Sequence, residues 1–323
     1  MDLREIQAPV AEHLERFEPY FDSQLQSPNS LLTLATRYVF RRRGKRMRPL
    51  LVFLSASAAG EVRDATYAAA ALIEMLHNAS LLHDDVVDET YTRRGQWSLM
   101  GLMGSKVAVL VGDFFLARGM EMALSGGHYE VLGIVSRAVR DLADGELSQM
   151  EHARRMDITE ETYMGVIRKK TATLIEACTR SGATSAGADK ETVEALAAYG
   201  NHLGLAFQIR DDMFDYTPGG LFGKPALNDV KEQKMTLPLI SALADATEAE
   251  RKALLKMIRR QPKADETAEA ALEMVRTHGG MDYAETKMNE LADMAIRDLA
   301  HLPDGDAKVS LCQLVAFNLG RKN

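Results

Sequence analysis

Two acidic triplets with the same spacing stand far apart in the chain: Asp84, Asp85 and Asp88 within HDDVVDET, and Asp211, Asp212 and Asp215 within QIRDDMFD. Both stretches read as helix, where residues four apart share a face, so Asp84 stands over Asp88 and Asp211 over Asp215. Clustered carboxylates repel one another unless a cation lies between them. Hard oxygen donors of this kind suit a divalent cation, Mg²⁺ above all, and Mg²⁺ held by few carboxylates keeps positions for phosphate oxygens. A single charged triplet is usually a solvated helix face. The second copy, in the same context, predicts instead two clusters that face one another across a diphosphate substrate.

Cations sit at intervals that suit the same anion. RRRGKRMRP, from Arg41 to Pro49, packs six of them into nine positions. Such a run also suits a nuclear-localisation or nucleic-acid patch, but the acidic balance of the whole chain argues against that. Lys45 and Arg48 are the candidates for diphosphate capture, arginine gripping phosphate oxygens through its planar fork. Arg93 and Arg94 follow the first triplet, and adjacent side chains diverge, so the pair could serve two different diphosphates. His77 lies upstream on the helix that carries the first triplet and is a candidate phosphate donor, although a lone helical histidine is more often structural.

The elements that must position these groups read as helices throughout. No proline occurs between Pro49 and Pro218, and proline breaks helix interiors and central strands alike. The same region is rich in Ala, Leu, Met and Glu, good helix formers. One helix is predicted from Asp64, as N-cap, to His83, and another from Glu191 to Asp215, so that each acidic triplet closes a long apolar helix. The Gly, Pro and Asn content of 217–234 predicts a loop. Four further helices follow, at EAERKALLKMIRR, ETAEAALEMVRTH, DYAETKMNELADMAIRDLAHL and AKVSLCQLVAFNLGR. No alternating strand pattern and no repeat is evident. The 323 residues, 46% hydrophobic, are read as one all-α domain, 1–323, a large helical bundle around a deep central cavity. Net charge is −7, which disfavours nucleic acid as a general partner. Two cysteines, Cys178 and Cys312, provide no disulfide framework or metal spacing and fit a reducing cytoplasm. The charged N-terminus does not read as a signal peptide, and no run of about twenty apolar residues predicts a membrane span.

From about Gly44 to Pro238 the chain resembles the trans-isoprenyl diphosphate synthases, the polyprenyl synthetase family. GKRMRP, HNASLLHDDVVDETYTRRG, VLVGDFFLA, KKTATL, FQIRDD-x-x-D, GKPALNDVKEQK and TLPLI occur in the family's order. One such motif is weak; the ordered set is highly specific. The resemblance implies an all-α, usually homodimeric enzyme of the isoprenoid synthase type. It implies three Mg²⁺ ions held with the allylic diphosphate by Asp84 and Asp88 from one wall and Asp211 from the other. Arg93, Lys170 and Lys234 would hold that diphosphate, and Gly44, Lys45, Arg48, His77 and Arg94 would hold isopentenyl diphosphate. Lys170, Thr171 and Gln208, unremarkable by themselves, would form the catalytic set, with Thr171 and Gln208 beside the developing allylic cation. The implied reaction is a Mg²⁺-dependent head-to-tail, 1′–4 condensation that needs no protein nucleophile.

Product length is expected to depend on the helix before the first triplet, whose turn of about 5.4 Å is close to one isoprene unit. Short-chain members of the family often carry aromatic residues at the fourth or fifth position before the motif. Here Ser80 and Ala79 are small, so a medium- or long-chain product is expected, as HNASLLHDDVVD resembles hepta- and octaprenyl members. Met75, Leu76 and Leu72, with Phe114, Phe115 and Met120 on a facing helix, are candidates for the floor itself. Arg210, Trp97, Met100, Leu227 and Gln233 depart from the commonest family pattern, the last two standing where glycines are usual. The alternatives are a farnesyl or geranylgeranyl diphosphate synthase, a terpene cyclase or head-to-head synthase, an HD-type metal phosphohydrolase suggested by His83-Asp84, and a non-catalytic subunit of a heteromeric synthase. Two intact acidic triplets with the basic set favour chain elongation over the last three of these, and the small Ser80 and Ala79 favour a longer product over the first.

Overall fold

The computed structural model describes residues 2–41, 44–93, 95–217 and 227–320. These are almost entirely helical. The chain forms two compact units, one comprising Met1–Ser136, Ala177–Leu196 and His301–Leu311, the other Arg137–Glu176, Ala197–Ala300 and Cys312–Asn323.

In the first unit α1 (Leu3–Gln7), α2 (Ala11–Gln24), α3 (Ser30–Phe40) and α4 (Met47–Ala59) precede α5 (Asp64–Val87). A short antiparallel hairpin follows, β1 (Thr92–Arg93) against β2 (Gln96–Trp97), with Arg93 opposite Gln96. Then come α6 (Leu99–Met103) and α7 (Ser105–Ser125). Every residue of α5 from Thr66 to Leu76 is buried, as expected of a helix apolar all round. Arg63, not Asp64, is its N-cap. The backbone amide of Arg63 donates to Thr66 Oγ1 at 3.1 Å, while Asp64 lies in the first turn, where a carboxylate complements the helix dipole. The helix runs past His83 to Val87, so the first triplet occupies its last turn, with Asp88 as C-cap.

Helix α7 packs antiparallel along α5 at two glycines. A side chain at Gly119 would meet Leu72 Cδ1 at 2.8 Å, and one at Gly112 would meet the His83 ring. An aromatic column completes this core: Phe17 packs on Phe53 and Phe21, Phe21 on Phe40, and Phe40 on Phe115.

Helices α8 (Tyr129–Arg155), α9 (Glu160–Ile167), α10 (Thr173–Ala186) and α11 (Lys190–Phe214) follow, with one π turn, Arg168–Ala172, between α9 and α10. After them come α12 (Asn228–Lys231), α13 (Leu237–Asp245), α14 (Glu248–Arg260), α15 (Asp265–Thr277), α16 (Gly280–Asp298) and α17 (Asp306–Leu319). The second unit's core joins Leu205 and Ile209 to Leu239, Ile240, Leu254, Ile258, Val275 and Ala284. Of the predicted loop 217–234, residues 218–226 lie outside the described residues, and 227–234 contain the helical turn α12. Neither Cys178 nor Cys312 is paired in a disulfide. Among the described residues no helix is long and apolar enough to cross a membrane.

Candidate active site

In the first unit, the last turn of α5 directs its three carboxylates differently. Asp88 is exposed and Asp84 half-buried, and the Asp88 amide donates to the Asp84 carbonyl at 2.8 Å. Asp85 is buried, and its Oδ1 accepts from Arg93 Nε at 2.7 Å. Asp85 therefore orients the hairpin arginine, while Asp84 and Asp88 share the outer face, as the four-residue spacing predicts. Arg94 lies outside the described residues.

The basic segment of this unit is similarly divided. Gly44 and Lys45 are exposed, and Arg48 and His77 half-buried. Arg46, between Lys45 and Arg48, turns inward to Glu18 and Glu74. Of the candidate floor residues, Ala79 and Met75 are completely buried, Leu76 nearly so, and Ser80 half-buried. Ser80 and Leu76 stand four and eight residues before Asp84 and continue its column; Ala79 and Met75 lie on a different face. Phe115 is fully buried, whereas Met120 is exposed. Met100 is buried and Trp97 exposed, its carbonyl accepting from the Tyr38 hydroxyl at 2.7 Å.

In the second unit, a cavity of about 130 Å³ is lined by Lys170, Thr171, Gln208, Asp212, Lys234, Tyr163 and Asp229 among others. The π turn carries Lys170 and Thr171, and such local widenings of a helix are frequent at functional sites. Lys170 Nζ reaches Glu146 at 2.6 Å and Gln149 at 2.9 Å. A hydrogen-bonded chain crosses the cavity wall. The Thr171 hydroxyl donates to Gln208 Oε1 at 2.6 Å, Gln208 Nε2 to Asp212 Oδ1 at 2.7 Å, and the Tyr163 hydroxyl to Asp212 Oδ2 at 2.6 Å. Burial, with the neighbouring Asp229 charge, pushes the Asp212 carboxyl up to about 8 against the pull of these donors. Asp229 is pushed up to about 6, chiefly by burial and then by Asp215.

Asp211 is half-buried beside the chain just described. Asp215 caps the following segment: its two oxygens accept the amides of Asn228 at 3.0 Å and Asp229 at 2.9 Å. Lys234 Nζ pairs with Glu232 at 2.5 Å. Burial lowers the Lys234 pKa, but Glu232 together with the charges of Asp229 and Glu146 outweighs it and the net shift is upward. Arg210 is buried with its guanidinium 4.7 Å over the Phe214 ring. Leu227 and Gln233 adopt left-handed backbone, φ 65° and 60°, the conformation that favours glycine.

Tyr163 and Asp229 escaped sequence reasoning. Tyr163 reads as a core aromatic on the apolar face of α9, and Asp229 as a loop carboxylate. The one local signal for Tyr163 is its position eight residues before Thr171 on the approach to the lysine pair.

Among the described residues no three His, Cys, Asp or Glu side chains close around one point. Mg²⁺ does not require that, since it is held through one or two carboxylates plus substrate phosphates. Asp84 and Asp88 fit such a role, being hard oxygen donors on one outward face of α5.

Residues 29–275 match the family model for polyprenyl synthetase. The chain is 38% identical over 322 residues to the octaprenyl diphosphate synthase of Escherichia coli, covering 99% of each chain. It is 35% identical over 303 residues to a short chain isoprenyl diphosphate synthase of Methanothermobacter thermautotrophicus, covering 92% of each. Among solved structures, a decaprenyl diphosphate synthase from Rhodobacter capsulatus superposes with a TM-score of 0.91 at 34% identity, covering 97% of each chain.

Proposed function

Because this chain belongs to the polyprenyl synthetase family, we propose that it condenses isopentenyl diphosphate head-to-tail with an allylic diphosphate and extends the product to medium or long chain length. It is a trans-prenyltransferase. The observation that carries this reading is the cavity of the second unit, where Lys170, Thr171, Gln208 and Lys234 surround one space. That set suits charge stabilisation and positioning rather than covalent catalysis.

Arg93, Lys170 and Lys234 are assigned to the allylic diphosphate, and Gly44, Lys45, Arg48, His77 and Arg94 to isopentenyl diphosphate. Enzymes of this family are metal-dependent. Asp84, Asp88 and Asp211 would hold Mg²⁺, supported by Asp85, Asp212 and Asp215, and three ions per site are proposed. When bound, the metal supplies positive charge to the departing diphosphate.

In the first step the allylic C–O bond breaks and its electron pair leaves with diphosphate. The lysines and Arg93 hold that leaving group in place. The Thr171 hydroxyl and the Gln208 carboxamide, already locked to each other and to Asp212, present oxygen dipoles towards the allylic cation. The double bond of isopentenyl diphosphate then forms the new C–C bond, and a proton lost from its C2 position, taken by the released diphosphate, restores an alkene. Exclusion of water protects the cation.

The medium- or long-chain product is supported by the small residue Ser80 on the column of Asp84 and by the likeness to an octaprenyl diphosphate synthase. A homodimer is proposed because α7 exposes an apolar stripe of Leu110, Ala117, Met120 and Leu124. A cytoplasmic setting is proposed because Cys178 and Cys312 are thiols and not a disulfide. The deciding experiment incubates purified protein with Mg²⁺, excess labelled isopentenyl diphosphate and primers of increasing length. Reversed-phase chromatography of the dephosphorylated products is expected to show polyprenols longer than geranylgeraniol. Release of farnesol or geranylgeraniol alone would sink the chain-length assignment, and no condensation at all would sink the activity.

A further inference from the structure

Arg46 lies in the middle of the basic motif and turns away from it. Its side chain is only 9% exposed, and its backbone is left-handed, φ 49° and ψ 41°, at the N-cap of α4. L residues rarely adopt that conformation unless the surroundings hold them there. What holds it is visible. Arg46 Nε and Nη2 donate to the two carboxylate oxygens of Glu18 at 2.9 and 3.1 Å, and Nη1 donates to Glu74 Oε1 at 2.7 Å. The guanidinium also lies 5.1 Å from the centre of the Phe21 ring.

A buried ion cluster is weak evidence for stability, because desolvation offsets much of the attraction. Its better-founded use is to fix geometry, and the connections of this one are informative. Arg46 directly follows Lys45 and precedes Arg48 by two residues. Glu74 stands on α5, three residues before His77 and on the same face. A single guanidinium therefore fastens the segment bearing Lys45 and Arg48 to the helix bearing His77, with Glu18 of α2 as the third strut.

We propose that Arg46 is a positioning residue which, through Glu18 and Glu74, sets the spacing of Lys45, Arg48 and His77 around one diphosphate. This rests on the assignment of those three residues to isopentenyl diphosphate. Lysine in place of Arg46 keeps the charge but cannot span two carboxylates with a rigid fork.

The test uses the full chain and three variants: Arg46→Lys, Glu18→Gln and, as a reference, Lys45→Ala. KM is measured for each substrate with the other saturating, alongside kcat and the melting temperature. Arg46→Lys and Glu18→Gln are expected to raise KM for isopentenyl diphosphate about tenfold, as for loss of a charged hydrogen bond. KM for the allylic substrate stays within about twofold of wild type, because its binding residues lie elsewhere. A purely structural role would lower the melting temperature and disturb both substrates together. If Arg46→Lys fails to fold, Glu18→Gln, which preserves side-chain shape, decides alone. Unchanged KM for isopentenyl diphosphate in the folded variants, with a raised value in Lys45→Ala, overturns the positioning role and leaves the substrate assignment standing. Unchanged KM in Lys45→Ala as well overturns the substrate assignment, and the positioning role with it.

Discussion

Asp212 illustrates how a residue's surroundings refine its expected role. Spacing groups it with Asp211 and Asp215 as equivalent acids. In the folded chain its two oxygens accept from Tyr163 and Gln208, which ties the second acidic triplet to Thr171. Tyr163→Phe removes one donor from a fully enclosed carboxyl group. It is expected to cost about 1–3 kcal/mol, seen as a lower denaturant midpoint at unchanged m-value, with a fall in kcat. An unaltered midpoint would show that the bond contributes nothing. Cys178 offers a second residue-level prediction. Burial pushes its thiol up to about 12, against about 8.5 when unfolded. The folded state therefore holds a proton that the unfolded state releases, so this contribution to stability is whole below pH 8.5 and is lost as pH rises towards 12. Native protein should resist iodoacetamide at Cys178 at pH 8 and react after unfolding, as peptide mass analysis would show.

At the scale of elements, the π turn Arg168–Ala172 is held between two glycines. A side chain at Gly145 of α8 would meet Lys169 Cβ at 2.8 Å and the Lys170 amide at 3.0 Å. One at Gly204 of α11 would meet Ala172 Cα at 2.6 Å. Backbone approach this close is possible only without a Cβ, and it sets where Lys170 and Thr171 enter the cavity. Gly204→Ala is expected to destabilise by about 1–3 kcal/mol through overpacking and to lower kcat more than either KM. Steady-state kinetics with a thermal melt checks both; a fully active, equally stable variant would remove the role assigned to this contact. Helix α5 carries the second prediction at this scale. Ser80→Phe, on the column of Asp84, should shorten the product by at least one isoprene unit, since each turn of about 5.4 Å matches one unit. Unchanged product length in this variant rules out this face of the helix as the floor.

For the molecule as a whole, the acidic triplets and the basic set make opposite demands on charge. Without cations, the carboxylates of each triplet repel one another. Chelation with EDTA should abolish condensation and excess Mg²⁺ should restore it, with turnover following the free metal concentration. Turnover that persists after exhaustive chelation would remove the metal from the proposed reaction. Sedimentation or light scattering tests the proposed homodimer, and Leu110→Glu on the exposed stripe of α7 should shift the mass towards that of one chain.

The amino-acid pattern determined more of the helices than of their contacts. The periodic apolar face of α14 and the continuous apolar run of α5 announce themselves locally, because a helix closes its own hydrogen bonds within four residues. The ordered acidic and basic motifs likewise identified the family and the candidate residues one by one. Tertiary structure alone decided what each side chain meets. Asp85 turns to Arg93, Asp215 to the amides of Asn228 and Asp229, Arg46 to carboxylates 28 residues away on either side. Tyr163 became part of the cavity only when α9 met α11, 49 residues on. Residue type and spacing state what chemistry is available; long-range packing selects the partner, because burial and hydrogen-bond geometry depend on segments that are remote in sequence.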